Sequence, residues 1–159
     1  MLSAVKDGAA ARSDILKTVK ERGVRYVRLA FVDILGIEKN IMIPVSELER
    51  ALAGQVTFDG GSIDGFVRGE EVDMVLLPDP ATFTVLPWVE KDFVEARILC
   101  DIAMPDLTPF EGCSRTTLKR VLEDAGDVMQ RVQAALEIEY YLFERAADGS
   151  PTTRTTDAG

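Results

Sequence analysis

The chain has 159 residues, 47% of them hydrophobic and 28% charged, which is a globular composition sufficient for one ordinary domain or a small domain and part of another. Its formal charge of -9 argues against a surface built for nucleic-acid phosphates. It contains no histidine, which excludes Ser-His-Asp and Cys-His catalysis and the usual zinc sites, and leaves oxygen ligands suited to magnesium or manganese for any metal.

Residues 1–12 read as a flexible tail without the apolar core of a signal peptide. No apolar run approaches a membrane span, so the expected location is cytoplasmic, with no membrane partner. Ser13 is placed to cap a helix from Asp14 to about Arg22, with Ile15, Leu16 and Val19 on one face and Gly23 as its stop. Val24–Val32 and Ile37–Ile43 alternate as two strands of a hairpin turned at Asp33-Ile34-Leu35-Gly36. Ser46 and Glu49 form the pattern of a capping box, opening a helix that Gly54 ends.

Further strands are expected at Gln55–Phe58, Asp73–Leu77, Phe83–Trp88 and Val94–Ile102, giving an α+β layout with a mixed sheet. Cys100 alternates with Ala96, Ile98 and Ile102, the position of a buried free thiol. A domain boundary is expected near residue 105. Beyond it, Leu118, Val121, Leu122, Ala125, Val128 and Met129 fit helical spacing, interrupted at Gly126. Ala134–Phe143 reads as a strand and 148–159 as a polar tail.

Two stretches carry chemistry. Phe58-Asp59-Gly60-Gly61-Ser62-Ile63-Asp64-Gly65-Phe66 packs glycines, carboxylates and a hydroxyl between aromatic residues, which fits a shaped binding loop and equally a solvated surface turn. Glu137 and Glu139 flank Ile138, and on a strand they would share a face about 6.6 Å apart. Such a pair suits hard cations held between strands, or else two solvated glutamates on an open face.

Taken in order, these segments resemble the N-terminal part of a glutamine synthetase of the bacterial type I class. The loop from Phe58 to Phe66 is similar to that family's Phe-Asp-Gly-Ser-Ser-Ile-x-Gly-Phe/Trp signature. Glu71-Val72-Asp73-Met74, Pro78-Asp79-Pro80, Pro87-Trp88, Cys100-Asp101, Pro105-Asp106, Pro109-Phe110-Glu111-Gly112, Arg115 and Leu118-Lys119-Arg120 follow in family order. Glu137-Ile138-Glu139-Tyr140-Tyr141-Leu142-Phe143 resembles the family's metal-binding strand. The chain departs from the pattern at Gly61, where a serine is usual, at Cys113-Ser114 in place of Asp-Pro, and at Ala135-Leu136 in place of Gly-Pro.

The resemblance covers about the first third of a family chain. It implies a β-grasp domain over residues 13–105, followed over 106–159 by the start of a catalytic barrel-like domain. It also implies formation of glutamine from glutamate and ammonium through γ-glutamyl phosphate, with ATP as co-substrate and Mg2+ or Mn2+ as cofactor. By position, Asp59 would bind and deprotonate ammonium, Ser62 would shape the loop, Glu137 and Glu139 would ligate metal, and Arg68 would take part in feedback inhibition by glutamine. Family active sites lie between subunits of a homo-oligomeric ring, so Asp59 and Glu137 would serve different sites. With most of the barrel absent, the 159-residue chain is expected to be inactive alone. The alternatives are a truncated, non-catalytic assembly module and a γ-glutamyl ligase for another amine.

Overall fold

A computed structural model describes residues 2–62, 73–90 and 93–156. The chain divides into two compact units, Met1–Ala125 and Gly126–Gly159.

The first unit is built on one mixed sheet. Its strands are β1 (Val24–Val32), β2 (Glu38–Pro44), β3 (Val56–Asp59), β4 (Asp73–Pro78), β5 (Thr84–Glu90) and β6 (Phe93–Ala103). They run β2-β1-β6-β4-β3, with β5 also paired to β6. β6 is the longest of them at 11 residues, and that length gives it three partners. Its first part lies parallel to β1 from Val24↔Val94 to Ala30↔Leu99 and antiparallel to β5, while its last residues pair antiparallel with β4 at Cys100 to Ala103.

Alternation along β1 and β6 sorts their residues onto two faces. Val27, Leu29, Phe31, Ala96, Ile98, Cys100 and Ile102 enter the main core together with Ile15 and Val19 of α1 (Leu2–Glu21) and Leu48, Ala51 and Leu52 of α2 (Leu48–Leu52). The other face carries Arg28, Ala30, Glu95, Arg97, Leu99 and Asp101. The hairpin between β1 and β2 turns at Asp33, whose buried carboxylate Oδ1 accepts the backbone N–H groups of Leu35 and Ile37, each at 2.9 Å. Gly36 follows at φ +80°, a conformation that glycine adopts without strain.

Every strand expected in the first unit forms, within two residues of its expected ends. Three expectations need correction. α1 is helical from Leu2, where a helix from Asp14 is expected; Ala4, Ala9, Ala10 and Ala11 favour helix and no proline intervenes. Ser46 and Glu49 make no capping box. The chain enters α2 through a 3-10 turn at Val45–Glu47, and neither helical start carries a side-chain cap bond. Pro44 opens that turn at φ -68°, which sets the chain direction without a capping side chain.

The third correction concerns the second unit. Ala134–Phe143 is not a strand: only Phe143–Arg145 (β7) is extended, paired antiparallel with Pro151–Thr155 (β8), a strand inside the stretch 148–159 expected to be a polar tail. Residues 132–142 are irregular and exposed, with Leu136 at 93% and Ile138 at 78% of full exposure. The β7–β8 ladder reaches back only to Leu142, whose carbonyl accepts the Thr156 N–H at 3.0 Å; residues 133–141 have no strand partner among the described residues, and an extended segment without a neighbour has no ladder to hold it. No helix among the described residues is long and apolar enough to cross a membrane.

Candidate functional site

The glycine-rich loop leaves the sheet at the end of β3. β3 forms the edge next to β4, with Asp59 opposite Asp73 in the antiparallel register. Phe58, one residue before, is partly buried against the core, its ring centroid 5.0 Å from that of Phe31 on β1. Alternation then turns Asp59 outward, and its side chain is exposed. Asp59 Oδ1 accepts the Gly61 N–H at 2.8 Å, closing an Asx turn over the 3-10 turn Gly60–Ser62. The sheet thus fixes the backbone under Asp59, and the turn fixes its carboxylate.

Ser62 is the last residue of that turn, and its side chain lies outside what is described. Asp64, Phe66 and Arg68 also lie outside the described residues. Glu137 and Glu139 belong to the irregular, exposed segment of the second unit, so the shared strand face expected for them is not formed. Among the described residues no three His, Cys, Asp or Glu side chains are grouped to hold a metal ion. Glu137 and Glu139 therefore do not by themselves complete a divalent-cation site.

A charged network links α3 (Ser114–Ala125) to the sheet. Arg115 donates from Nη1 to Asp101 Oδ1 at 2.7 Å and from Nη2 to Asp79 Oδ2 at 2.5 Å, and Lys119 Nζ reaches Asp101 Oδ2 at 2.5 Å. Burial alone would raise the Asp79 carboxyl. The Arg115 hydrogen bond, the Ala81 N–H and the positive charges of Arg115 and Lys119 outweigh it and hold the carboxyl below its usual range. Ser114 Oγ completes the attachment by donating within reach of the Val32 and Asp33 carbonyls, at 3.2 and 3.1 Å. In the sequence these residues stand out only as motif positions. The one local signal of a joint role is the i, i+4 spacing of Arg115 and Lys119, which places both on one helix face.

Among the described residues, cavities open beside the second sheet face. One, of about 330 Å³, is lined by Ala30, Val32, Leu99, Ser114 and Leu118 among others and is almost wholly apolar. Another, of about 200 Å³, includes Arg28, Glu38, Trp88 and Arg97; its arginines are paired with Glu95 and Glu38, so its charge is balanced.

Residues 23–105 match the family model of the glutamine synthetase beta-Grasp domain. The chain is 45% identical over 146 residues to a glutamine synthetase of Clostridium saccharobutylicum, a match covering 92% of this chain and 33% of that protein. The chain belongs to the glutamine synthetase family. It is also 45% identical over 148 residues to a Methanosarcina mazei glutamine synthetase and over 149 residues to one from Staphylococcus aureus, covering 93% of this chain and 33% of each relative.

The chain therefore spans about a third of the length of these relatives. Among solved structures, the Plasmodium falciparum glutamine synthetase superposes with a TM-score of 0.64 at 22% identity, over 74% of this chain and 23% of that one. A structure described as apo GmaS without ligand gives 0.62 at 23% identity, over 69% and 25%. At these identities the likeness concerns the fold alone. That fold is α+β and contains the family's β-grasp domain.

Proposed function

We propose that this chain is the N-terminal portion of a glutamate–ammonia ligase, which forms glutamine from glutamate, ammonium and ATP. The observation that supports this most directly is Asp59, an exposed carboxylate on the edge of a glutamine synthetase β-grasp sheet, oriented by its bond to the Gly61 N–H. An anionic carboxylate attracts ammonium and can accept its proton, and a carboxylate held by a turn loses little freedom in doing so. Ser62 would shape the loop beside it, and Arg68 would contribute to feedback inhibition by glutamine.

In this reading ATP phosphorylates the γ-carboxylate of glutamate and ammonia displaces the phosphate. Glu137 and Glu139 would provide two of the ligands for Mg2+ or Mn2+, the others coming from outside the described residues. The working assembly is a homo-oligomeric ring in which the Asp59 loop completes a neighbouring subunit's pocket. A cytoplasmic location follows from that chemistry, because ATP and glutamate are intracellular substrates.

Glu137 and Glu139 lie in an exposed, irregular segment, which favours a second reading for the 159-residue chain by itself: an inactive assembly module. One experiment separates the two. Purified chain, and a chimera in which it replaces the corresponding third of the S. aureus relative, are each assayed for ATP-dependent glutamine formation. The isolated chain is expected to be silent and the chimera active. An inactive but correctly assembled chimera would favour the module, and turnover transferred to another amine would favour a different γ-glutamyl ligase.

A further inference from the structure

Arg28 of β1 and Arg97 of β6 are register partners on neighbouring parallel strands, so two guanidinium groups leave the second sheet face side by side. Like charges so placed repel, and each is answered by a carboxylate. The two answers differ in kind. Arg28 Nε donates to Glu95 Oε2 at 2.5 Å, and Glu95 is buried, so separating this pair would strand a charge in the interior. Arg97 Nη1 donates to Glu38 Oε2 at 3.0 Å, with the two side chains 38% and 44% exposed. A pair this open to water contributes little to stability and separates at little cost. Arg97 and Glu38 line the cavity of about 200 Å³, where Leu86 and the half-exposed indole of Trp88 form an apolar wall beside them.

We propose that this cavity binds a free α-amino acid in its zwitterionic form, received between Arg97 and Glu38 as their ion pair opens. The α-carboxylate takes the place of Glu38 on the Arg97 guanidinium, and the α-ammonium takes the place of Arg97 on the Glu38 carboxylate. Each charge of the opened pair then keeps a charge-assisted hydrogen bond, and the net charge of the cavity is unchanged. A ligand with one charge does not achieve this. A simple anion on Arg97 leaves Glu38 facing it without a cation, and a simple cation on Glu38 leaves Arg97 unpaired next to Arg28. The side chain of the amino acid lies against Leu86 and Trp88, which selects an apolar one, and the volume restricts it to a few carbons, as in valine. The inference goes beyond the ligase reading and does not depend on turnover.

Trp88 is the single tryptophan of the chain, so its fluorescence reports on this cavity alone. Titration of the 159-residue chain with L-valine is expected to give a saturable change in that emission in the millimolar range. Isovalerate keeps the carboxylate and branched side chain but lacks the ammonium, and isobutylamine lacks the carboxylate. Each is expected to bind on the order of tenfold more weakly. Glu38→Gln and Arg97→Gln should weaken valine by a similar factor, while Glu47→Gln, in an exposed pair with Arg50 elsewhere, should leave it unchanged. The absence of a saturable change with valine overturns the proposal. Isovalerate binding as well as valine also overturns it, because the cavity is then a plain anion site. Valine binding that survives both Glu38→Gln and Arg97→Gln overturns it too. The analogue series on the unsubstituted chain keeps the test decisive if a variant fails to fold. Glutamine formation by the chimera is read separately, so an inactive chimera counts against the ligase reading and leaves the valine titration untouched.

Discussion

Arg115 of α3 and Asp101 of β6 meet at 2.7 Å, a contact that ties the helix to the sheet. Both side chains are 23% exposed, so the pair is partly desolvated and removing one partner leaves the other poorly satisfied. Arg115→Leu is expected to destabilise the first unit by about 1–2 kcal/mol, discounted for the remaining solvent. Amide exchange over 116–125 should rise more than exchange in β1. Unchanged protection of α3 would show that the helix is held by something else.

Asp79 gives the same attachment a pH dependence. Its carboxyl is held below the usual range, so its stabilising contribution is complete above the unfolded value, about 3.9, and is lost as pH falls through the lower folded value. Asp79→Asn should therefore lower the urea midpoint at pH 7, and the gap to the parent chain should narrow towards pH 3. A gap that stays constant with pH would mean that the aspartate acts only by packing.

The first unit was legible because its strands alternate cleanly: Val27, Leu29 and Phe31 on β1 and Ala96, Ile98 and Cys100 on β6 all enter the core as their spacing implies. Asp33 and Gly36 likewise marked the hairpin turn. Residues 134–141 have the same alternation and form no strand. Periodicity reports what a segment would bury, whereas a strand also needs a neighbour to pair with, and these residues have none among the described residues. The Asp79–Arg115–Asp101 network was invisible for a related reason. Its members are 14 to 36 residues apart, and only the register of β6 brings them together. The helical spacing of Leu118, Val121 and Leu122 was plain, and in the structure all three remain exposed.

The loop at Asp59 separates folding from chemistry. Asn keeps an oxygen that can accept the Gly61 N–H, so Asp59→Asn should change stability by less than about 0.5 kcal/mol, while Asp59→Ala should cost about 1 kcal/mol through the lost turn. In the active chimera, Asp59→Asn should still reduce glutamine formation on the order of 10²-fold or more, the range for removal of a general base. Full activity in Asp59→Asn would exclude the carboxylate from proton transfer.

Cys100 should limit stability at high pH. It lies fully buried in β6, and burial, reinforced by the negative charges of Asp101 and Asp79 against the opposing charge of Arg115, pushes its thiol up to about 12. An unfolded thiol ionises near its model value of 9.0, so the folded state holds a proton that the unfolded state releases as pH rises between those values. The contribution is thus complete below about pH 9 and declines above it, by up to about 1.4 kcal/mol per pH unit. Cys100→Ala should cost about 1 kcal/mol at pH 7 through lost packing and should flatten the decline between pH 9 and 11. Urea melts of both proteins across that range provide the check. Parallel declines would show that lysines and tyrosines, common to both, account for the alkaline limb and that the Cys100 proton has no part in it.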